Sequence, residues 1–174
     1  VEGQEIPKGW KISQLNDLIR VNEKTIGLDY CFSKINYIDI SSVNVGKLEN
    51  ITEYCLKERP SRAQRIVNHG DTIWSCVRPN RRSYLYISNP HPNTIVSTGF
   101  AVLTPNKVPS SYVFFSTTTD FFIEYLTNNA DGSAYPAVKA DHFSKSEILL
   151  PSQEILISFH NIVNPLLEKI SFNE

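Results

Sequence analysis

Residues 70–82 read Gly70-Asp71-Thr72-Ile73-Trp74-Ser75-Cys76-Val77-Arg78-Pro79-Asn80-Arg81-Arg82, and this stretch decides how the chain is read. His69-Gly70-Asp71 is a turn, and it feeds a run over 72–77 whose β-branched and aromatic content predicts a strand. Pro79 cannot donate to a ladder and Pro-Asn favours a turn, so the strand ends at Arg78 in a basic turn. Tyr84 and Tyr86 follow, so cationic and aromatic groups alternate around one bend. The amide of Asn80 is able to pair with an adenine edge, as an Arg pairs with guanine; equally, Asn80 simply makes the turn. Trp74 and Phe100 lie within apolar strands and are read as core rather than as exposed stacking platforms.

Outward from that turn, charge is unevenly spread. Over 57–82 there are seven basic residues (Lys57, Arg59, Arg62, Arg65, Arg78, Arg81, Arg82) against Glu58 and Asp71, a local charge of +5. The remainder holds 10 basic and 16 acidic residues, a charge of −6, and the two halves nearly cancel to the net −1 of the 174-residue chain. A basic segment in an acidic body is the pattern of a nucleic-acid reader with a localised footprint. Six of the seven cations are Arg, whose planar fork suits phosphates and guanine edges. A solvated charge run has the same composition, so composition alone leaves both readings open.

The other elements are shorter. Pro7-Lys8-Gly9-Trp10 is a turn, after which Ser13 is placed to cap a short helix carrying Leu15, Leu18 and Ile19. Residues 35–40 form a strand, 61–64 a loop, and 84–87 and 100–104 two further strands separated by the loop 89–93. Tyr112, Phe115, Phe121, Phe122, Tyr125 and Leu126 recur at helical spacing, with Thr119 or Asp120 as cap and 128–132 as stop. Residues 133–138 form a linker, and Ile148-Leu149-Leu150 a short strand closed by Pro151. From Ser152 onward Ile155, Phe159, Ile162, Val163, Leu166, Leu167 and Ile170 mark one face of an amphipathic helix that Pro165 should kink or interrupt. Short strands with helix collected at the C-terminal end predict an α+β domain, with an irregular β-rich body over 1–151 and a helix over 152–174.

Composition and motifs exclude much else. A hydrophobic content of 41% with 20% charged residues is too apolar for disorder. No apolar run approaches the roughly 18 residues that span a bilayer, and no basic-then-apolar leader opens the sequence. Cys31, Cys55 and Cys76 are odd in number, scattered and without CxxC spacing, which fits a reducing, cytoplasmic setting and no structural zinc. The chain lacks Met even at position 1, and it ends inside a helix-like stretch, as expected of a piece of a longer protein. There is no GxGxxG, P-loop, HExxH or GxSxG. His69, His91, His142 and His160 are far apart, Asp141-His142 is a pair in sequence only, and Asn89-Pro90-His91-Pro92 is a loop. No catalytic residue, cofactor site or metal site is expected.

Several separated pieces, taken in order, resemble the target-recognition domain of type I restriction-modification specificity subunits. They are Pro7-Lys8-Gly9-Trp10 followed by Leu15, Tyr37-Ile38-Asp39-Ile40, Gly70-Asp71-Thr72-Ile73-Trp74-Ser75, Gly99-Phe100 before Val102-Leu103, and Gly132-Ser133-Ala134-Tyr135-Pro136, which is similar to the family's Gly-Ser/Thr-x-x-Pro linker. Ile148-Leu149-Leu150-Pro151-Ser152, with Glu154, resembles the step into the family's long helix, although Ser152-Gln153-Glu154 replaces the usual Pro-x-x-Glu-Gln. The resemblance implies an α+β domain that reads part of a bipartite site in the duplex major groove. It also implies a C-terminal segment that begins the spacer helix binding the modification subunits. Catalysis, with S-adenosylmethionine, Mg and ATP, would then belong to the methyltransferase and restriction subunits.

On this reading Lys57, Arg59, Arg62, Arg65, Arg78, Asn80, Arg81, Arg82 and Tyr84 contact double-stranded DNA, with Asn80, Arg81 and Arg82 reaching base edges. The helix face from Ile155 to Ile170 packs on a second copy, a second recognition domain or a partner subunit. Two rivals stand beside it: a protein–protein module that binds no DNA, and a recognition domain cut from a fused methyltransferase.

Overall fold

The computed structural model describes residues 6–172, so both expected units, 1–151 and 152–174, run at one end past the described residues. Its centre is the strand the sequence pointed to. Ten strands and four α-helices can be followed: β1 (Lys11–Gln14), β2 (Ile19–Val21), β3 (Lys34–Ile38), β4 (Thr52–Cys55), β5 (Ala63–Ile66), β6 (Thr72–Ser75), β7 (Tyr84–Tyr86), β8 (Thr94–Ser97), β9 (Phe100–Pro105), α1 (Ser110–Thr117), α2 (Asp120–Asn128), α3 (Ala140–Lys145), β10 (Glu147–Leu150) and α4 (Gln153–Phe172). One antiparallel sheet has the order β2-β9-β6-β7, a second has β4-β3-β8-β5 with β3 and β8 parallel, and β1 pairs with β10 in a two-stranded ribbon.

Strand β6 is buried at every position, and its alternation joins two cores. Ile73, flanked in register by Leu85 and Val102, faces the second sheet and packs with Ile38, Val43, Val67, Val96 and Phe100. Trp74, fully buried between Tyr84 and Ala101, faces the other way. It belongs to a core with Leu15, Leu103, Val113, Phe122, Phe143 and Leu156, to which all four helices contribute. The layers are therefore helices, first sheet and second sheet, as an α+β domain requires. The preceding turn is locked: Gly70 has φ +88°, and a Cβ there would come within 3.2 Å of the Ser110 side chain. Asp71, almost wholly buried, accepts from the Asn68 amide (2.7 Å), and burial pushes its carboxyl pKa up.

Four expectations need correction. No helix follows Ser13; β1, a single 3₁₀ turn over Leu15–Asp17 and β2 stand there instead. The Leu15 amide donates to Ser146 O (2.8 Å), and Leu15, Leu18 and Ile19 still reach the core, so edge pairing with β10 replaces a helix too short to nucleate alone. Residues 61–64 are not all loop, because Ala63 is fully buried and begins β5. Strands β4 and β8 and helix α3 occupy segments that carried no expected element; β8 is buried throughout, so it lacks the polar alternation that marks a half-exposed strand. The helix, finally, is not interrupted at Pro165. Contacts with the body hold it on both sides of that residue: Leu156 lies in the main core and Leu167 packs with Tyr86, Phe114 and Val163. Thr119 is the α2 cap, its Oγ1 accepting from the Phe122 amide (3.2 Å).

Helix α4 therefore carries two apolar stripes, not one. Leu156, Val163 and Leu167 face the domain, Phe159 sits edge-on to Tyr112 and Phe115, and His160 Nδ1 lies 2.9 Å from Ser111 Oγ. Near its end Glu168 accepts from Ser88 and Tyr86, and lies 3.5 Å from His69 Nε2. Ile155, Ile162, Leu166 and Ile170 stay exposed, Ile162 at 70%. Truncating Leu156 to Ala should cost about 2–5 kcal/mol of stability. The same change at Ile162 should stay within about 0.5 kcal/mol, and denaturant unfolding of the two variants measures the contrast.

Candidate nucleic-acid interface

The basic turn leaves β6 under tight backbone control. Ser75 Oγ accepts from the Val77 amide (3.2 Å) and donates to Val77 O (2.9 Å), while the Ser75 amide donates to Ser83 O (2.8 Å), closing the excursion between them. Inside it, Pro79–Arg81 form one 3₁₀ turn, with Arg81 and Arg82 amides donating to Arg78 O and Pro79 O. Arg78 (φ 49°) and Arg82 (φ 59°), which flank it, are both left-handed. A side-chain-bearing residue pays for that conformation with backbone strain, and such strain concentrates at functional sites.

The turn forms one wall of an open cleft of about 720 Å³. Arg78, Arg81, Ser75 and Ser83 come from this wall. Arg62 comes from the approach to β5, and Asp39, Ser41 and Asn44 come from the 3₁₀ turn after β3 and the residues beyond it. The linker supplies Tyr135, whose ring lies under the Arg78 guanidinium, 4.5 Å from Cζ to centroid. Asp39 is the one carboxylate in this cationic cleft. Burial pushes its pKa up, but bonds from the Ser41 amide (3.2 Å), the Tyr37 hydroxyl (2.9 Å) and the Ser41 hydroxyl (3.1 Å), with Arg62 nearby, outweigh burial and hold it below the ordinary value. That carboxylate caps the turn carrying Ser41 and stays ionised. The lining thus offers planar guanidinium donors, small amide and hydroxyl groups and an aromatic face, which is the chemistry of phosphate and base-edge recognition.

The seven basic side chains of 57–82 do not make one continuous surface. Arg62, Arg78 and Arg81 share the cleft. Arg82 turns aside to Asp120 on α2, 2.6 Å away. Asn80 is exposed at the tip of the turn but does not line the cleft. Lys57 and Arg59 sit on a 3₁₀ turn after β4, where Arg59 Nη1 donates to Leu56 O (2.8 Å), and neither reaches the cleft. Arg65 is half-buried in β5, and burial lowers its pKa. Tyr84, expected at the interface, is half-buried in an aromatic cluster, with ring centroids 4.9 Å from Trp74 and 5.8 Å from Phe114. Ser41, Asn44 and Tyr135 were not singled out; the first two follow a strand distant in sequence, and only the linker motif pointed at the third. On α4, Val163 and Leu167 are engaged by the domain itself, which leaves Ile155, Ile162, Leu166 and Ile170, flanked by Phe159, as the open stripe.

Cys31 and Cys55 are exposed thiols, and burial pushes the Cys76 thiol up to about 11 despite the nearby Arg65. Among the described residues no group of His, Cys, Asp and Glu could hold a metal ion, and no helix is long and apolar enough to cross a membrane.

The two-sheet α+β body with its docked C-terminal helix has solved counterparts. The chain superposes on an HsdS subunit from Thermoanaerobacter tengcongensis with a TM-score of 0.79 at 24% identity, covering 98% of this chain and 45% of that one. A type I restriction-modification structure, solved for complex assembly and conformational transition, gives 0.80 at 26%, covering 97% and 44%. No protein-family model matches. Among curated proteins, the chain is 26% identical over 170 residues to the Type I restriction enzyme HindI specificity subunit of Haemophilus influenzae, covering 94% of this chain and 36% of the relative. It is 24% identical to the MjaIX specificity subunit of Methanocaldococcus jannaschii, covering 98% and 40%. The chain is therefore similar, over nearly its whole length, to part of type I restriction enzyme specificity subunits. It spans less than half the length of the relatives it matches.

The Arg82–Asp120 pair is open to solvent, Asp120 being 83% exposed, so its stability contribution should be small. A double-mutant cycle of Arg82→Ala and Asp120→Ala is expected to give a coupling below about 1 kcal/mol.

Proposed function

We propose that this chain is a DNA-reading domain that binds duplex DNA sequence-specifically through the cleft between the 39–44 and 78–83 segments. The observation that carries this is the convergence of Arg62, Arg78 and Arg81 with Ser41, Asn44 and Tyr135 on one open concavity, in a chain similar to part of specificity subunits. Arg62 and Arg81 hold phosphates, which supplies affinity and orientation without sequence information. Groups deeper in the cleft reach base edges in the major groove, each good bidentate contact discriminating by about 1–3 kcal/mol. Asn80, exposed at the tip of the turn, remains available to a base or a phosphate. Arg82, paired with Asp120, contributes less.

In this reading the domain performs no chemistry. Methyltransferase and restriction subunits act where it binds, in the cytoplasm, and they carry the S-adenosylmethionine, Mg and ATP. Residues 1–151 form the reading body and 152–174 begin a spacer helix. The exposed residues Ile155, Ile162, Leu166 and Ile170 follow steps of seven, four and four and form a coiled-coil-like seam for a second helix, from another copy or a second recognition domain.

Two measurements test this. Arg62→Ala and Arg81→Ala should each weaken duplex binding and flatten the slope of log K against log salt by up to about 0.9 per lost phosphate contact, with a smaller effect from Arg82→Ala. An unchanged slope in both cleft variants contradicts the phosphate assignment, and silence of the wild-type chain toward mixed duplex DNA at low salt favours the protein–protein rival. Separately, wild-type chain should self-associate in sedimentation at high concentration, and the Ile162→Glu/Leu166→Glu variant should remain monomeric. A wild-type chain that is monomeric throughout contradicts self-pairing.

A further inference from the structure

We propose that Tyr135 is a positioning residue that holds the Arg78 guanidinium for a guanine edge, which makes the 131–138 loop part of the reading surface. This rests on the duplex-binding function proposed above and names the base-reading pair within it.

Three independent features converge on the pair. Tyr135 is 60% exposed, so the fold does not need its ring as core. Its one ring contact among the described residues is the Arg78 guanidinium, at 4.5 Å. An aromatic left open to solvent, with a single cation stacked on it at the mouth of a basic cleft, is placed to act on that cation.

The loop that carries Tyr135 is built to hold it there. The Asp131 and Ala137 amides exchange bonds with each other's carbonyls at 2.9 Å, closing the loop on itself. Val138 N donates to Cys76 O (2.8 Å) and Arg78 N donates to Pro136 O (2.7 Å), which staples the loop to the end of β6. Gly132 has φ +91°, and a Cβ there would lie 3.3 Å from the Tyr135 carbonyl oxygen, so the tight return depends on glycine.

Arg78 itself stands in a left-handed conformation at φ 49°. Glycine would fit that position with less strain, yet the chain places there a guanidinium stacked on Tyr135. Arg is read as planar and bidentate at guanine O6 and N7, and stacking on a ring removes the torsional freedom that would otherwise be lost on binding. A phosphate contact can use the same fork, but it carries no preference for a base.

The experiment is selection of binding sites from a randomised duplex library by the whole chain and by Arg78→Lys, Tyr135→Ala and Tyr135→Phe, with salt slopes and thermal unfolding measured on each. Wild type should enrich a motif containing a guanine. Arg78→Lys, which keeps the charge but loses the fork, and Tyr135→Ala should reduce the preference at that guanine by about tenfold with an unchanged salt slope. Tyr135→Phe, which keeps the ring, should retain it. Uniform weakening with the guanine preference intact would place Arg78 on a phosphate and overturn the proposal. So would an unaltered motif in Tyr135→Ala, or loss of the preference in Tyr135→Phe. If the wild-type chain binds no duplex at all, the broader function fails first, a result distinct from each of these.

Discussion

Burial of β6 on both faces is the constraint on which the rest of the molecule depends. Ile73 and Trp74 point into different cores, one shared with the second sheet and one shared with the helices, so the strand can neither slide nor rotate without exposing one of them. Truncating a fully buried Trp costs about 3–5 kcal/mol, a large share of the stability of a domain this size. The segment leaving such a strand starts from a fixed point. Its bonds to Ser83 and Pro136 then transfer that rigidity to the Arg78–Arg82 turn and to the linker beneath it. Reading geometry needs donors held by rigid elements, and here rigidity is carried from the core outward by backbone hydrogen bonds.

Electrostatics in this chain is local. A net charge of −1 gives the whole molecule no attraction for a polyanion, and at physiological salt charges screen each other over about 8 Å. What matters is which cations share a concavity, and that is a smaller set than the basic segment suggested. Arg82 spends its charge on Asp120 and Arg65 is half-buried, which leaves Arg62, Arg78 and Arg81 together. The cleft combines separate chain segments, from Asp39 to Tyr135; parallel pairing of β3 with β8 and antiparallel pairing of β5 with β8 bring the 39–44 and 62 positions to the same side.

The parts of this arrangement visible in sequence were those with local causes. The strand expected over 72–77 and found at 72–75 announced itself by composition, its end by Pro79, the α2 cap to within Thr119 or Asp120, and the final strand by Ile148-Leu149-Leu150 before Pro151. Elements with non-local causes were hidden. Strand β8 is buried throughout and lacks alternation, β5 begins at an alanine between polar residues, and the segment after Ser13 has helical spacing overridden by pairing with β10. The helix face behaved similarly: periodicity showed that Ile155 to Ile170 is apolar, but only packing divides it into the residues that dock on α1 and the body and those that stay open. In the cleft, charge in the sequence located Arg62, Arg78 and Arg81, whereas Ser41, Asn44 and Tyr135 carry no charge signal and emerge from the fold.

The central claim, that the cleft is the DNA-contacting face, is tested most directly by amide hydrogen exchange on the whole chain with and without a mixed-sequence duplex at low salt. The account predicts added protection concentrated at 39–44, 62 and 78–83 and in the 131–138 loop, with the 57–59 turn unchanged. Protection confined to the outer face of α4 or to the 57–59 turn, with none in the cleft, would contradict it.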